Sequence, residues 1–266
     1  STPINNDFTI NAPITIDSQP DEEIIACEES LIQLSIESST IDSYQWEFSF
    51  DGIEWQNVEE TVIFSGSTSS SLEINNLPTS IDNIKLRALV DRVGFGCTIY
   101  SDESTILVNP LPIITIPSAL EECDDDFDGI VSYFDLESKT EEILNNQSGI
   151  SVTYHETQEQ AENGLSPIIG LYTINSGDLN NPDNQTLFVR LENDETGCAS
   201  TTTLDLIVNP LPLVSTPPIY EICDANYDGV TTIDLTLLDT TILDGCSNCE
   251  DEEINITYHQ TQLEAD

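Results

Sequence analysis

A Cys-Asp-rich segment that recurs after roughly 100 residues is the feature that most constrains the fold of this chain. Three motifs occur twice: CDDDFDG at 123–129 and CDANYDG at 223–229, NPLP at 109–112 and 209–212, TYHETQ at 153–158 and TYHQTQ at 257–262. The last pair is shifted by 104 rather than 100 positions, which predicts an insertion near Gly245 to Glu253. We therefore predict tandem domains, in which each NPLP segment closes one unit and opens the next as a short, stiff connector.

Short β-strands dominate the hydrophobic pattern. Apolar runs such as 14–16, 86–90 and 187–191 alternate with turn signals, and only 138–145 and 158–163 are predicted to be helical. This spacing predicts an all-β chain of tandem immunoglobulin-like β-sandwich domains in a row. The predicted domains are 1–110, 111–210 (one complete Cys-Asp repeat) and 211–266 (a truncated second copy). We expect the chain to be an interior piece of a longer protein.

The pattern of residues 1–110 resembles the immunoglobulin-like fold. Cys27 is predicted to open a strand, and Trp46 is the core Trp expected on the third strand. Immunoglobulin-like domains carry an Asp-x-x-x-Tyr-x-Cys segment. In the corresponding segment of this chain, Leu86 stands at the Tyr position and Ala88 at the Cys position. The usual inter-sheet disulfide is therefore absent, and Cys97 is the remaining partner for Cys27.

The charge balance excludes several classes of function. The 266 residues carry 50 acidic and 5 basic side chains, a formal net charge of −45. A chain of this charge does not bind nucleic acid through phosphate contacts or dock on an anionic membrane surface, and it contains no apolar run that would insert into a membrane. Adaptation to salty surroundings and a specific cation role both remain open.

The two acidic loops match the first half of a calcium loop, in which hard oxygen ligands alternate before a glycine that permits a sharp turn. The two repeats differ after that glycine, since Asp135 falls at position twelve of the first loop and Asp234 falls one position early in the second. An Asp-rich turn held by side-chain-to-backbone hydrogen bonds is the alternative. The recurrence favours calcium as cofactor, and the predicted ligands are Asp124, Asp126, Asp128, Ile130 and Asp135 in the first loop and Asp224, Asn226, Asp228, Val230 and Asp234 in the second.

The seven cysteines are predicted to form about one disulfide per domain, which implies an oxidising compartment. The predicted pairs are Cys27 with Cys97 and Cys123 with Cys198. By the same offset, the partner of Cys223 is expected beyond residue 266. The pair Cys246 and Cys249 is open to three interpretations, a redox pair, half a zinc site or a local disulfide, of which we favour the local disulfide.

We predict that the chain is not an enzyme. It lacks the sequence patterns of a nucleophile elbow, a zinc protease helix and a phosphate loop. His155 and His259 are repeat-equivalent, which favours a packing or hydrogen-bonding role over catalysis.

The complete motif set resembles the tandem repeats of giant Bacteroidetes surface proteins that carry a type B sorting domain and are exported by the type IX secretion system, including gliding-motility adhesin-like proteins. The matching segments are 123–129, 134–136, 153–158, 185–190, 197–198 and 208–212. The sorting domain of such proteins lies outside this sequence, so the export route is implied by the resemblance alone.

The resemblance implies a secreted, cell-surface location. The leading hypothesis is a structural or adhesive module of a long extracellular stalk that calcium and disulfides rigidify. The alternatives are a protomer of a symmetric appendage (a hook, fibre or other filament) and spacer domains of a secreted carbohydrate-active or carbohydrate-binding protein. The expected partners are neighbouring domains of the same chain, further copies in an appendage, and a surface glycan or protein ligand.

Overall fold

The computed structural model describes residues 13–92, 98–123, 130–175, 184–209, 215–217, 219–224, 228–243 and 255–265. These ranges contain fifteen strands and four short α-helices, which confirms the predicted all-β class. The strands are β1 (Glu23–Cys27), β2 (Ile32–Ser35), β3 (Ser43–Ser49), β4 (Gln56–Asn57), β5 (Phe64–Ser65), β6 (Ser71–Ile74), β7 (Ile84–Asp91), β8 (Thr98–Tyr100), β9 (Ser104–Asn109), β10 (Leu120–Cys123), β11 (Ile130–Phe134), β12 (Ile150–His155), β13 (Tyr172–Asn175), β14 (Gln185–Asn193) and β15 (Ala199–Asn209). The helices are α1 (Thr140–Leu144), α2 (Gln158–Asn163), α3 (Asp239–Leu243) and α4 (Gln262–Ala265).

Internal contacts divide the chain into two compact units, which we describe separately. The first unit contains residues 1–115, 146–153 and 190–201. The second contains residues 116–145, 154–189 and 202–266. None of the helices in the described ranges is long and apolar enough to cross a membrane.

The first unit is built on a two-sheet sandwich. One sheet has the strand order β1-β9-β7-β3-β4 with β8 on β7, and the other has the order β2-β6-β5. The pairing of β1 with β9 is parallel, and the other pairings are antiparallel. The strict alternation of buried and partly exposed side chains along β7 is the period-2 pattern of a strand with one face in the core.

The sandwich core takes the place of the missing inter-sheet disulfide. Trp46 on β3 lies opposite Ala88 on β7, both are fully buried, and Leu86 is buried two positions earlier on β7. Trp46 Nε1 donates a hydrogen bond to the carbonyl of Ser69 at 3.0 Å, so the indole is buried without an unsatisfied donor. The prediction of Trp46 as the core Trp of the third strand is confirmed.

Two local predictions near the N-terminus are wrong. Cys27 ends β1 rather than opening a strand. Residues 14–16 form no strand, because the backbone of Thr15 bonds to the side-chain hydroxyls of Thr40 and Ser38 instead of to a neighbouring strand. Ile14 and Ile16 still pack against the sandwich core, and this contact explains their apolar alternation.

The segment 116–209 contains a second pair of sheets. The order β10-β15-β14-β12 forms one sheet, in which β10 runs parallel to β15, and β11 pairs with β13 in another. The second unit has its own buried residues, among them Phe134, Leu136, Tyr154, Leu187 and Leu204. Helices α1 and α2 fall inside the two stretches that the sequence predicted to be helical.

One cation–aromatic stack covers the outer face of the larger sheet of the sandwich. The guanidinium of Arg87 lies between the rings of Trp55 and Tyr100, at 3.9 and 3.8 Å from their centroids. It also bonds through Nε and Nη2 to one carboxylate oxygen of Glu47, its cross-strand partner, at 3.0 and 2.9 Å. In a chain with so few cations, this residue joins β3, β7 and β8 at one point.

The turn before β6 provides a test of the sandwich packing. Gly66 has φ +82°, and a Cβ at this position would lie 2.2 Å from the carbonyl oxygen of Ser71. We expect Gly66→Ala to lower the free energy of unfolding by about 2 kcal/mol or more in urea titrations, because the clash adds to the cost of left-handed backbone. Gly170→Ala is the matched control, since Gly170 has the same φ with nothing within 4 Å of a Cβ, and it should cost about 1 kcal/mol. Equal losses would contradict the packing assigned to Gly66.

Candidate functional site

A disulfide joins Cys27 to Cys198 across a sequence separation of 171, with the Cα atoms 5.5 Å apart. Cys27 is the last residue of β1 and is half-buried, and Cys198 immediately precedes β15 and is 1% exposed. Both cysteines belong to the first compact unit. The bond therefore joins the edge of the sandwich to the turn between β14 and β15.

The turn after Cys27 holds this cysteine at the end of its strand. The hydroxyl and the backbone N–H of Ser30 both donate to the Cys27 carbonyl, and Glu29 adopts left-handed backbone with φ +65°. The N–H of Glu29 donates to the carbonyl of Leu77, whose own N–H donates to the Ser30 carbonyl. This exchange anchors the turn to the segment that follows β6.

The turn that presents Cys198 is organised by Asn193. Its side-chain oxygen accepts the N–H groups of Glu195 and Thr196, each at 3.0 Å, which is the hydrogen bonding of an Asx turn. Gly197 has φ +73°, and its N–H donates to the Asn193 carbonyl. The chain thus reverses in a few residues and delivers Cys198 at the start of β15.

The NPLP connector, which we take from here on to include the following Ile113, lies beside this disulfide and is hydrogen-bonded on several sides. Gln147 accepts the N–H of Ile113 and donates to its carbonyl, both at 2.8 Å, so one amide side chain satisfies both backbone groups of that residue. The hydroxyl of Ser200 donates to the carbonyl of Pro112 at 2.8 Å in a buried position. Glu28 accepts the N–H of Leu111 at 3.3 Å through its carboxylate. These bonds hold the connector in one conformation within the first unit.

In the second unit, the segment that follows the connector is fixed by a carboxylate. Glu142 accepts the backbone N–H of Ser118 at 2.6 Å and the Ser118 hydroxyl at 3.1 Å, and Lys139 donates to that hydroxyl at 2.7 Å. The Ser118 N–H lowers the pKa of the Glu142 carboxyl, with Lys139 contributing in the same direction. The carboxylate is therefore the favoured form at neutral pH.

A covalent link across so long a loop has a large effect on the unfolded chain. Closing a loop of this length costs the unfolded state about 5 kcal/mol of entropy in the chain-entropy model. Neutral hydrogen bonds of the kind made by Gln147 and Ser200 contribute about 1 kcal/mol each. By these magnitudes, the disulfide is the strongest single constraint in this region.

The predicted Cys27–Cys97 pair is wrong, because Cys27 bonds to Cys198. Cys27 pairs in register with Asn109, beyond the end of β7 where Ile84 pairs with Ile106. Thr98 pairs with Asp91 at the opposite end of β7. The prediction assumed that a sandwich bonds its own cysteines, and the strand register opposes that pairing.

The predicted Cys123–Cys198 pair is wrong for the same kind of reason. Cys123 ends β10, in register with Asn209, the last residue of β15. Cys198 precedes Ala199, the first residue of that eleven-residue strand. The two cysteines therefore lie about 36 Å apart along the strand, at roughly 3.3 Å per residue.

The remaining cysteine predictions are not tested by the described residues. Cys97, Cys246 and Cys249 lie outside the described ranges, and a local disulfide of the last two stays a prediction. Cys223 is exposed, and its thiol is free.

The first predicted calcium loop falls largely outside the described residues. Asp124, Asp126 and Asp128 are not described, and Ile130 begins β11. Asp135 is exposed and stands at the N-cap position of a 3₁₀ helix over Leu136–Lys139. The side chains of the described ranges, which omit 124–129 and 225–227, form no group of three or more metal-binding residues. Calcium therefore stays a prediction.

The described part of the second loop contains the hydrogen bonds of an Asp-rich turn. Asp224 accepts the N–H of Gly229 at 2.7 Å, and Asp228 accepts the N–H of Val230 at 2.8 Å. Asp234 caps the 3₁₀ helix over Leu235–Leu238 through the N–H of Thr236. Val230 is exposed, and Asn226 lies outside the described residues.

The two histidines differ in burial. His155 is fully buried, and its Nδ1 lies 2.8 Å from the carbonyl of Leu165, to which it donates. His259 is exposed and contacts the Thr257 hydroxyl at 3.0 Å. The contacts of His155 are those of a packed, hydrogen-bonded core residue.

Comparison with known proteins identifies one segment. Residues 119–212 match the family model described as Flavobacterium inter-domain disulphide bond domain, and this description supports a source in the Bacteroidetes. Cys198 lies inside the matched segment and Cys27 outside it, so the disulfide crosses the segment boundary. No curated protein matches the chain.

Among solved structures, two titin fragments are similar to this chain at low scores. A mutated variant of a three-immunoglobulin-domain fragment has a TM-score of 0.33 and 12% identity, with 74% of this chain and 66% of that chain covered. An I-band fragment has a TM-score of 0.32 and 11% identity, with the same coverage. The chain thus spans about two thirds of the length of these fragments. The fold assignment rests on the strand pairings given above.

Removal of the disulfide tests its role in stability. We expect Cys27→Ser with Cys198→Ser to lower the free energy of unfolding by about 2–5 kcal/mol in denaturant titrations, because the long loop of the unfolded chain is released. Cys223→Ser is the control and should leave the denaturation midpoint unchanged, since that thiol is exposed and free. A double variant with the wild-type midpoint would contradict the role assigned to the bond.

Proposed function

We propose that this chain is a structural and adhesive module of a long extracellular surface stalk, in which disulfides and calcium stiffen a row of β-domains. The observation that carries the proposal is the Cys27–Cys198 bond beside a connector whose backbone groups are bonded by Gln147 and Ser200. The bond fixes the end of β1 to the start of β15 and encloses the connector in the closed loop. A module that must keep its shape in an extended stalk is stabilised by such a restraint.

The compartment follows from the same bond. Disulfides persist in oxidising surroundings, so a structural disulfide with one nearly inaccessible sulfur supports a location outside the cytoplasm. Export by the type IX system and kinship with gliding-motility adhesins are the finer part of the proposal. Their support is the repeated motif set and the Flavobacterium description of the matched family.

The charge is suited to an extended stalk. A net charge of −45 on 266 residues makes neighbouring modules repel one another and keeps the surface soluble. The repulsion is screened within about 8–10 Å at physiological salt, so it acts between adjacent surfaces rather than across the whole molecule. The same negative charge favours the binding of cations from solution.

Calcium is proposed for both acidic loops, on the basis of the repeated motif in the first and of local geometry in the second. Gly229, at the sixth position of the second loop, has φ +81°, the sharp turn that a calcium loop requires there. The bond from the Gly229 N–H to Asp224 curls the backbone so that the first and sixth positions meet. Several carboxylates this close repel one another, and a bound cation removes that repulsion.

The stalk proposal is tested on native cells. We expect immunogold labelling with an antibody against this chain to mark thin, single surface filaments in electron micrographs, and protease shaving of intact cells to remove the label. An antibody against a cytoplasmic protein is the control and should label only broken cells. Label inside intact cells would overturn the proposal. Label on multi-stranded fibres would favour the appendage protomer, and binding to a glycan array would favour the carbohydrate-binding alternative.

The calcium proposal is tested by thermal unfolding. With about 10 mM calcium and extracellular-type dissociation constants of ~10⁻⁴–10⁻³ M, each site should add about 1–3 kcal/mol of stability over chelator. Replacing Asp124, Asp126 and Asp128 by Asn should remove the shift from the first loop. Replacing the exposed Glu22, Glu59 and Asp102 by their amides is the charge-matched control, and this variant should keep the calcium-dependent shift. A shift that magnesium reproduces, or that the first variant retains, would show general screening instead of a site.

A further inference from the structure

We infer that the Cys27–Cys198 disulfide carries tension past the sandwich, so that a pull along the chain bypasses nearly all of the residues between the two cysteines. The inference rests on the proposed function only for the claim that the chain is under tension in the cell. The bypass itself follows from where the two cysteines lie in the strands.

The positions of the two cysteines define the loaded path. A pull from the N-terminal side enters β1 at Glu23 and reaches Cys27 after that five-residue strand. It crosses the disulfide to Cys198 and continues directly into β15, which begins at Ala199. Strands β2 to β14 and the NPLP connector all lie in the closed loop between the cysteines.

The two loaded strands are both held from the side. β1 shares five parallel register pairs with β9. β15 is an inner strand of its sheet, between β10 and β14. If β1 were stripped from β9, only the few residues up to Cys27 would be released, because the closed loop cannot open while the disulfide is intact. The sandwich core thus carries no share of a sustained pull.

The same chain without the disulfide would bear force differently. β1 and β9 are the first and last strands of the sandwich, and they lie side by side and parallel. Tension between them would shear those register pairs and then extend the sandwich and connector in series. The bond therefore separates two tasks. The disulfide carries load, and the hydrogen bonds between Gln147 and Ile113, which lie inside the closed loop, hold the end of the connector without being loaded.

Burial of the bond supports this assignment. Reduction requires a thiolate to reach one of the two sulfurs. Cys198 is 1% exposed and Cys27 is half-buried, so attack is restricted to one side of the bond. A link that must persist under load in a surface protein benefits from this protection.

Single-molecule pulling of the whole chain between terminal handles tests the inference. The Cys223→Ser background removes the exposed thiol, and fully stretched lengths are compared with and without Cys27→Ser plus Cys198→Ser. We expect the oxidised chain to be shorter by about 600 Å, at roughly 3.5 Å for each locked residue. Reductant added under load should release that length as one step. The stretched length does not depend on whether the variant folds.

Two outcomes would overturn the inference. Equal lengths would mean that the bond does not form. Differences of about 250 Å or 500 Å would mean that one or both of the pairs Cys27–Cys97 and Cys123–Cys198 form instead, each locking roughly 70 residues. The pulling result does not depend on where the protein lies in the cell. Failed surface labelling would therefore overturn the stalk proposal and leave the load-bearing role of the disulfide intact, whereas a failed pulling experiment would overturn that role and leave the stalk proposal intact.

Discussion

The covalent bond between Cys27 and Cys198 is the constraint on which the first compact unit depends. It brings together two turns that are 171 positions apart, at an entropic cost to the unfolded chain of about 5 kcal/mol. The bonds around the connector are individually weak, at about 1 kcal/mol each, and involve partners such as Gln147 and Ser200 that are distant from the connector in sequence. With the loop already closed, little further entropy is lost when these groups meet. The disulfide and these hydrogen bonds therefore restrain the same connector.

The charge imposes a second constraint, since five cations cannot pair with 50 carboxylates. In the described residues, several of these carboxylates accept hydrogen bonds from backbone N–H groups in turns. Asp51 accepts the N–H groups of Ile53 and Glu54, and Glu60 accepts those of Gly66 and Ser67. These bonds lower the pKa of both carboxyls, in Asp51 chiefly through the Ile53 N–H and in Glu60 chiefly through the Ser67 hydroxyl. The acids thus stabilise turns as anions, and the chain needs few ion pairs.

The predictions that succeeded depend on short-range pattern, and those that failed depend on tertiary register. Apolar runs between turn signals identified β7 and β14, and the position of Trp46 identified the core of the sandwich. The cysteine pairs could not be derived in this way, because spacing leaves connectivity open and only the strand register shows which ends of a sheet meet. The partners of the connector carried no signal either. A single Gln or Ser in a turn is unremarkable in sequence, and Arg87 gave no sign that rings from two other segments would enclose it.

The two copies of the repeat share their local secondary structure and differ in burial. Both copies form a 3₁₀ helix followed by a short α-helix, and in both the Tyr of the TYH motif bonds to the first residue of that helix, Thr140 in one and Asp239 in the other. Burial differs, since Leu136 is 2% exposed and its counterpart Leu235 is 40% exposed. The first copy contains the strands β10 to β15, and the described residues of 219–265 contain no strand. The motif therefore adopts the same local turns and helices in both copies, whereas the burial of its leucine differs between them. In the first copy, β15 begins directly after Cys198, so the disulfide fixes the start of the strand that ends the repeat.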